Sequence, residues 1–199
     1  MPKVTRKTQS EALFESFCRR HLLDWSPIPT GVDKTPDYRL QFGSSTVLFE
    51  IEQIESVSGF LPDDVSSRTV GARVRQKIAD ARRQMQVASK AALPAVLLIY
   101  NTVDPLQAFG TEAHDFVCAM YGELTVRLVK GKAGGSFLDR NATLRRDANT
   151  SFSGVGHLKR FGDTAEVTIF ENIYAANALP FDAFPPCFEI MRIEVEHAA

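Results

Sequence analysis

The feature that most constrains the fold is a continuous apolar run, Ala95–Thr102 (AVLLIYNT), which follows directly after Pro94. A short run without polar alternation, preceded by a proline, is typical of a β-strand that is buried on both faces. Apolar residues at helical spacing predict long helices on either side of such a strand. The sequence therefore predicts an α/β domain with three layers, in which a mixed central sheet is flanked by helices.

The order of the remaining elements follows from periodicity and turn residues. Helices are predicted at Gln9–Leu23, Thr69–Ala91 and Thr111–Tyr121, and the first has a core-facing stripe of Leu13, Phe14, Phe17 and Leu22. Further strands are predicted at Tyr38–Phe42, Thr46–Gln53, Leu124–Val129, Phe152–Leu158, Glu166–Asn172 and Phe188–Val195. Irregular segments are predicted at Ser26–Pro36, Ser56–Ser67 and Lys130–Ser151.

Length and composition indicate an ordinary globular protein. The chain has 199 residues, of which 44% are hydrophobic and 24% charged, and we expect one domain over residues 1–199. No apolar run approaches the ~20 residues that a membrane span needs. The three cysteines are far apart and the N-terminus has no apolar leader segment, so we expect a reduced, cytoplasmic protein with no membrane partner.

The charge is unevenly distributed along the chain. The formal net charge is −1, yet Arg68–Lys90 has seven basic residues and one acid, and Val126–Arg160 has eight basic residues and two acids. Each segment therefore has a net charge of +6, set against an acidic remainder. Clustered cations of this kind can follow a phosphate backbone, although solvated helix and loop faces would give the same pattern.

An acidic hairpin is the most informative motif. Because side chains alternate along a strand, Glu50 and Glu52 share one face of Thr46–Gln53 with Leu48. Asp37 opens the preceding strand and could join them, giving three oxygen-donor groups of the kind that Mg²⁺ prefers. An edge hairpin whose glutamates simply face solvent is the alternative interpretation of the same pattern.

The chain resembles the PD-(D/E)XK nuclease superfamily, the restriction-endonuclease-like fold, through several short motifs. The resemblance extends from Ser10 to about Asn101, while residues 102–199 add strands and a basic loop. The motifs that carry it are SEALFESF, TPDYRL, FEIEQ, RVRQKIADARRQ and AVLLIYN.

The resemblance implies a Mg²⁺-dependent endonuclease that hydrolyses DNA phosphodiester bonds, with Mn²⁺ as a substitute ion. By position, its metal ligands are Asp37, Glu50 and a helix glutamate, either Glu11 or Glu15. The family usually has a lysine two residues after the strand acid, and this chain has Glu52 there. Glu52 would then act as a further ligand or as a general base for the attacking water.

The long helix offers a replacement for the absent lysine. Lys77 and Gln84 lie on one stripe of the predicted helix, and in the family this helix often presents a polar residue to the active site. We therefore expect both to orient the water or the phosphate. The alternative is that the stripe is the solvated side of an amphipathic helix.

The resemblance also implies DNA as a partner, and a homodimer would supply two cutting sites for two strands. The predicted nucleic-acid contacts come from the two cationic segments: Arg68, Arg73, Arg75, Lys130, Lys132, Arg145 and Arg146. Two other hypotheses stay open at this point. One is an inactive descendant that binds nucleic acid or protein, and the other is an unrelated α/β domain whose acidic hairpin is only surface.

Overall fold

The computed structural model describes residues 7–29, 34–55, 69–104, 106–107, 109–129 and 132–193, with the backbone alone at 124–129 and 132–140. Its helices are α1 (Gln9–Arg20), α2 (Ala72–Lys90) and α3 (Ala113–Tyr121). The strands are β1 (Asp24–Pro27), β2 (Tyr38–Phe42), β3 (Ser45–Ile54), β4 (Ala95–Asn101), β5 (Glu123–Val129), β6 (Lys132–Arg140), β7 (Gly154–Phe161), β8 (Thr164–Glu171) and β9 (Phe188–Met191).

Seven of these strands form one mixed sheet in the order β1-β2-β3-β4-β7-β8-β9. The central strands β3, β4 and β7 are parallel to one another, whereas β1, β2 and β3 pair antiparallel. All seven residues of Ala95–Asn101 are buried, as predicted for a strand covered on both faces. Strands β5 and β6 pair in a separate two-stranded sheet.

Each face of the large sheet has its own apolar cluster. On one face, Phe14 and Phe17 of α1 pack in a cluster with Phe49 of β3. On the other face, Ile78 of α2 packs in a cluster with Leu97 of β4 and with residues of α3. The predicted three-layer α/β architecture is thus confirmed. In the described part of the chain, no helix has the length and apolarity that crossing a membrane requires.

Three local predictions are wrong, each for an identifiable reason. Helix α1 ends at Arg20, so Leu22 leaves the helical stripe with a φ of 53° and is 91% exposed. Strand β1 includes Ser26 and Pro27, because a short edge strand tolerates a proline. Within the predicted loop Lys130–Ser151, β6 forms because it pairs with β5. The glycines of β6 do not prevent its backbone from making the hydrogen bonds of this pair. The predicted loop Ser56–Ser67 lies outside the described residues.

The start of α2 is fixed against α3 by a glycine and a buried carboxylate. Gly71 has a φ of +70°, and its N–H donates to Asp115 Oδ1 at 2.7 Å. A Cβ at this position would lie 2.7 Å from the backbone oxygen of Asp115, so a side chain cannot be accommodated. This close approach sets the position from which α2 runs back along β3, and therefore the level at which its side chains meet that strand.

Candidate functional site

The alternation of β3 places its two glutamates on the α2 side of the sheet. Phe49 and Ile51 belong to the cluster under α1, whereas Leu48 belongs to the cluster under α2. Glu50 and Glu52 follow Leu48 at intervals of two residues and so face α2. The face predicted from the sequence is the one observed.

A cavity of about 330 Å³ opens where β3, α1 and α2 come together. We call it the acid pocket and define it by five of its lining residues: Glu11, Asp37, Glu50, Glu52 and Lys77. Four of these side chains are carboxylates and one is an ammonium group, and a fifth carboxylate, Glu55, also lines the same polar space. Three elements and the residue before β2 supply them, which is why no contiguous stretch of sequence shows the whole set.

Asp37 enters the pocket because of the pairing between β2 and β3. Tyr38 pairs with Phe49, so the preceding residue, Asp37, lies beside Glu50. Its Oδ2 accepts a hydrogen bond from the backbone N–H of Ile51 at 2.9 Å. Burial raises the pKa of Asp37 to about 6, against the lowering effect of that hydrogen bond and with further increases from Glu11 and Glu52.

Glu50 is the most deeply buried of the four carboxylates, with 5% of its surface exposed. Its Oε1 accepts a hydrogen bond from Gln84 Nε2 at 3.1 Å, but its Oε2 is buried with no hydrogen-bond partner among the residues that the structure describes. Gln84 Oε1 is also buried without a partner. Burial, Asp37 and Glu52 raise the pKa of Glu50 to about 9. The anionic form of this side chain is therefore poorly stabilised by the protein alone.

Glu52 is held by a cation from the neighbouring helix. Lys77 Nζ lies 2.9 Å from Glu52 Oε2, and both side chains are about one-fifth exposed. Asp80, one turn further along α2, is 4.0 Å from the same ammonium group. Lys77 and Gln84 thus both face the strand acids, as the stripe on α2 predicts, while the core stripe of the helix lies beside them.

The two candidate glutamates of α1 have different surroundings. Glu11 lines the acid pocket and forms a capping box with Thr8, whose N–H donates to Glu11 Oε2 at 2.6 Å. Glu15 does not line the pocket and instead binds Lys7 Nζ at 2.6 Å, Tyr38 Oη at 3.0 Å and Arg19 Nη1 at 3.3 Å. The structure therefore brings Glu11, and not Glu15, to the strand acids.

The donor set fits a hard divalent cation. Within the described residues, no three histidine, cysteine, aspartate or glutamate side chains are arranged as a ready-made metal site. However, the Oε2 of Glu50, unpartnered among the described residues, requires a positive partner or a proton, and burial together with Glu11 and Glu52 raises the pKa of Asp37 beside it. Carboxylate oxygens around an open, polar space are the ligands that Mg²⁺ takes while it keeps several waters.

Of the predicted nucleic-acid contacts whose side chains the structure describes, none lines the acid pocket, although Arg73 lines an adjacent cavity that shares Gln53 and Lys77 with it. Arg73 donates to Phe109 O at 3.4 Å, while Arg75 donates to the carbonyl of Val70 at 2.5 Å and to that of Cys118 at 3.3 Å. Both arginines thus tie α2 to the segments that follow β4.

The other predicted contacts are elsewhere. Arg145 and Arg146 are exposed on a turn that is closed by the pairing of Arg145 with Ala148. Arg145 also lies 3.4 Å from Asp147. Arg68 and Lys130 lie outside the described residues, and only the backbone of Lys132 is described.

Two residues of the site were missed by the sequence analysis. Gln53 lines the pocket and its Oε1 accepts from the N–H of Ser10 at 3.3 Å, which joins the start of α1 to β3. Lys34 is close enough to lower the pKa of Glu50, against the larger effects of burial and the neighbouring acids. Gln53 ends the FEIEQ motif and Lys34 precedes the TPD motif, so proximity to those motifs was the available signal.

In comparisons with protein-family models, curated proteins and solved structures, nothing matches this chain. The resemblance to PD-(D/E)XK nucleases therefore depends on the chain's own motifs alone.

Proposed function

We propose that the acid pocket binds Mg²⁺ and that the protein hydrolyses phosphodiester bonds in DNA. The observation that carries this proposal is the buried, unpartnered Oε2 of Glu50 beside Asp37. Asp37 and Glu50 are adjacent carboxylates with raised pKa values, and among the described residues neither forms an ion pair with a basic side chain. A divalent cation stabilises them together, and such a cation is what phosphodiester hydrolysis needs.

Asp37 and Glu50 would hold the ion, with Glu11 and Glu52 on the remaining walls of the pocket. When bound there, the ion supplies a water of lowered pKa and neutralises charge that develops on the phosphate. Gln84 has a positioning role, because its hydrogen bond to Glu50 Oε1 leaves Oε2 directed away from the amide. The backbone N–H of Ile51 positions the carboxylate of Asp37 in the same way.

Lys77 would supply the ammonium group that the related family usually places at the position of Glu52. It reaches the pocket from α2 and already lies 2.9 Å from Glu52 Oε2. A phosphate that enters the pocket would meet this cation, while Glu52 accepts a hydrogen bond from it or from the water. In this proposal the ammonium group comes from α2 instead of β3, so a chain with Glu52 in the lysine position still has a lysine in its pocket.

The test is cleavage of supercoiled plasmid by the purified protein with Mg²⁺ or Mn²⁺. We expect nicking, and we expect the Asp37→Asn/Glu50→Gln variant to lose at least about a hundredfold in rate, because both proposed ligands lose their charge. Glu166→Gln is the matched control, since Glu166 is an exposed carboxylate on β8. Nicking that survives in the double variant would contradict the proposal.

The second candidate is a nucleic-acid-binding protein without catalysis, and it is favoured by one observation. The position where the family that the chain resembles usually has a lysine holds Glu52 instead. This candidate predicts DNA binding with a steep salt dependence and no cleavage in any divalent metal. DNA as the ligand, a homodimer and a cytoplasmic location all stay predictions of the sequence.

A further inference from the structure

A second feature lies on the same edge of the sheet as the acid pocket. Because β3, β4 and β7 are parallel, their carboxyl ends meet at one edge, where ligands bind in sheets of this kind. The acid pocket is at the end of β3. At the end of β7 the chain has Lys159, Arg160 and Phe161, which are followed by the turn into β8.

Phe161 is exposed to an unusual degree for its type. It is 64% exposed, and no other phenylalanine, tyrosine or tryptophan side chain that the structure describes is as exposed. Leu106, on the connection between β4 and α3, is 78% exposed. Single exposed leucines are common on proteins, but an exposed phenylalanine on the same strand face as a lysine, Lys159, is suited to stacking on a base.

The turn that presents Phe161 is tightly defined. Phe161 pairs with Thr164 across a two-residue turn in which Gly162 has a φ of +58°. Thr164 Oγ1 donates to the carbonyl of Phe161 at 2.8 Å. The ring is therefore held at the tip of a rigid hairpin and costs little conformational entropy to order when a ligand binds.

The connection between β4 and α3 supports this hairpin from the side. Gln107 Oε1 accepts from Arg160 N at 2.8 Å, and Gln107 Nε2 donates to Arg160 O at 3.1 Å. The connection is itself held by Asn101, which is fully buried and donates to Phe109 O at 3.1 Å. Two amide side chains thus fix the exposed edge next to the parallel strands.

The position of the ring relative to the acid pocket follows from strand register. Glu52 pairs with Ile99, which pairs with His157, so Glu52 and His157 lie at the same level two strands apart, or about 10 Å. Phe161 is four residues beyond His157 on the same face, about 13 Å further along the strand. The ring thus lies roughly 16 Å from Glu52, on the face of the sheet to which the pocket acids belong.

We propose that Phe161 is a stacking platform for an unpaired base, and that the substrate is single-stranded or locally unpaired nucleic acid. This inference rests on the proposed function, since it assigns a substrate class to the acid pocket. In an intact duplex the base faces are covered by their neighbours, so a ring on a hairpin tip can stack only on a base that is unpaired. Lys159, two residues before Phe161 and therefore on the same face of β7, carries a positive charge that attracts an adjoining phosphate.

The test is equilibrium binding of a 16-nucleotide single strand that contains 2-aminopurine, compared with the matching duplex. An Asp37→Asn background with Mg²⁺ keeps the DNA intact. We expect Phe161→Ala to weaken single-strand binding about tenfold and to abolish the 2-aminopurine fluorescence change. Phe161→Trp should retain both, and duplex binding should change less than twofold. Leu22→Ala, at an exposed apolar residue beyond the end of α1, is the matched control.

Each outcome bears on one proposal or the other. Equal single-strand binding in the wild-type and Phe161→Ala proteins overturns the stacking inference, and so does an equal loss for single strand and duplex. Plasmid cleavage that needs Asp37 and Glu50, together with no effect of Phe161→Ala, refutes the platform and leaves the nuclease standing. The Phe161 pattern without cleavage in any divalent metal refutes the hydrolysis and leaves the platform standing.

Discussion

Two glutamates in this protein are almost equally buried and have opposite surroundings. Glu15 is 4% exposed and Glu50 is 5% exposed. Burial raises the pKa of Glu15, but hydrogen bonds from Lys7, Tyr38 and Arg19 outweigh that effect and hold the pKa below its usual value. At Glu50, burial and two neighbouring acids raise the pKa to about 9, and one carboxylate oxygen has no partner.

The difference shows which buried acids deserve a functional interpretation. Glu15 is neutralised by cations of its own chain, so its charge is part of the folded structure. Glu50 is surrounded by more negative charge than the protein compensates, which a purely structural role would not require. Burial by itself therefore does not mark a functional carboxylate, and the proposed role of Glu50 is supported instead by its unpartnered oxygen and its acidic neighbours.

The largest expected effect concerns the cation that the pocket does possess. Lys77→Met should lower the rate of plasmid cleavage by about 10²- to 10³-fold, because the ammonium group near the phosphate is lost. The exchange variant Lys77→Glu/Glu52→Lys should recover most of that loss by restoring the pair with its positions reversed. Lys90→Met, on an exposed part of the same helix, is the control, and an unchanged rate in Lys77→Met would contradict the role of Lys77.

The comparison predicts that Glu15→Gln destabilises the protein. The substitution removes the charge that binds Lys7 and Arg19 while the amide still accepts from Tyr38, so we expect a loss of about 2 kcal/mol in the free energy of unfolding. Urea denaturation measures it, with Glu166→Gln as the exposed control. An unchanged free energy of unfolding would show that Lys7 and Arg19 do not stabilise the charge of Glu15. The contrast drawn between Glu15 and Glu50 would then be wrong.

Glu50→Gln should have the opposite sign in metal-free protein. A glutamine keeps the acceptor for Gln84 Nε2 and adds an amide donor for the unpartnered Gln84 Oε1, so we expect about 1 kcal/mol of stabilisation in EDTA. Added Mg²⁺ should stabilise the wild-type protein and not the variant, which can be followed by thermal unfolding. Destabilisation by Glu50→Gln in EDTA would mean that the carboxylate is already compensated.

The smallest expected effect is a change of pH dependence at Glu15. Because its folded-state pKa is below the value of 4.5 for the free side chain, its stabilising contribution is present above that pH and is lost as the pH falls. The gap in stability between wild type and Glu15→Gln should therefore narrow as the pH is lowered from 7 to 3. Urea denaturation at several pH values tests this, and a gap that widens in acid would reverse the assigned sign.

The sequence predicted those parts of the site that depend on local periodicity. The alternation in β3 identified the face that Glu50 and Glu52 share, and the helical stripe identified Lys77 and Gln84 as a pair. Both patterns repeat within a few residues, so they can be recognised without knowing how the rest of the chain folds. The buried strand at Ala95–Asn101 was predictable for the same reason.

Features that depend on distant partners were not predictable. Glu11 and Glu15 are four residues apart on one helix side, and only the packing of the start of α1 against β3 decides which of them reaches the pocket. Arg73 and Arg75 count as cations in a charge sum, but they bind carbonyl groups that come from elsewhere in the chain. Strand β6 forms because it pairs with β5, and its own glycine-rich sequence indicates a loop instead of a strand.

Because α2 starts at a fixed position at Gly71, the position of the helix along its own axis decides which of its side chains lies opposite Glu52. One α-helical turn is about 5.4 Å, and the acid Asp80 stands three residues beyond Lys77 on this helix. A slip of the helix by one turn toward its own N-terminus would exchange an ammonium for a carboxylate opposite Glu52, turning attraction into repulsion. The contact between Gly71 and Asp115 thus fixes where α2 begins relative to β3. A redesigned protein that keeps this pocket therefore has to keep α3 as well.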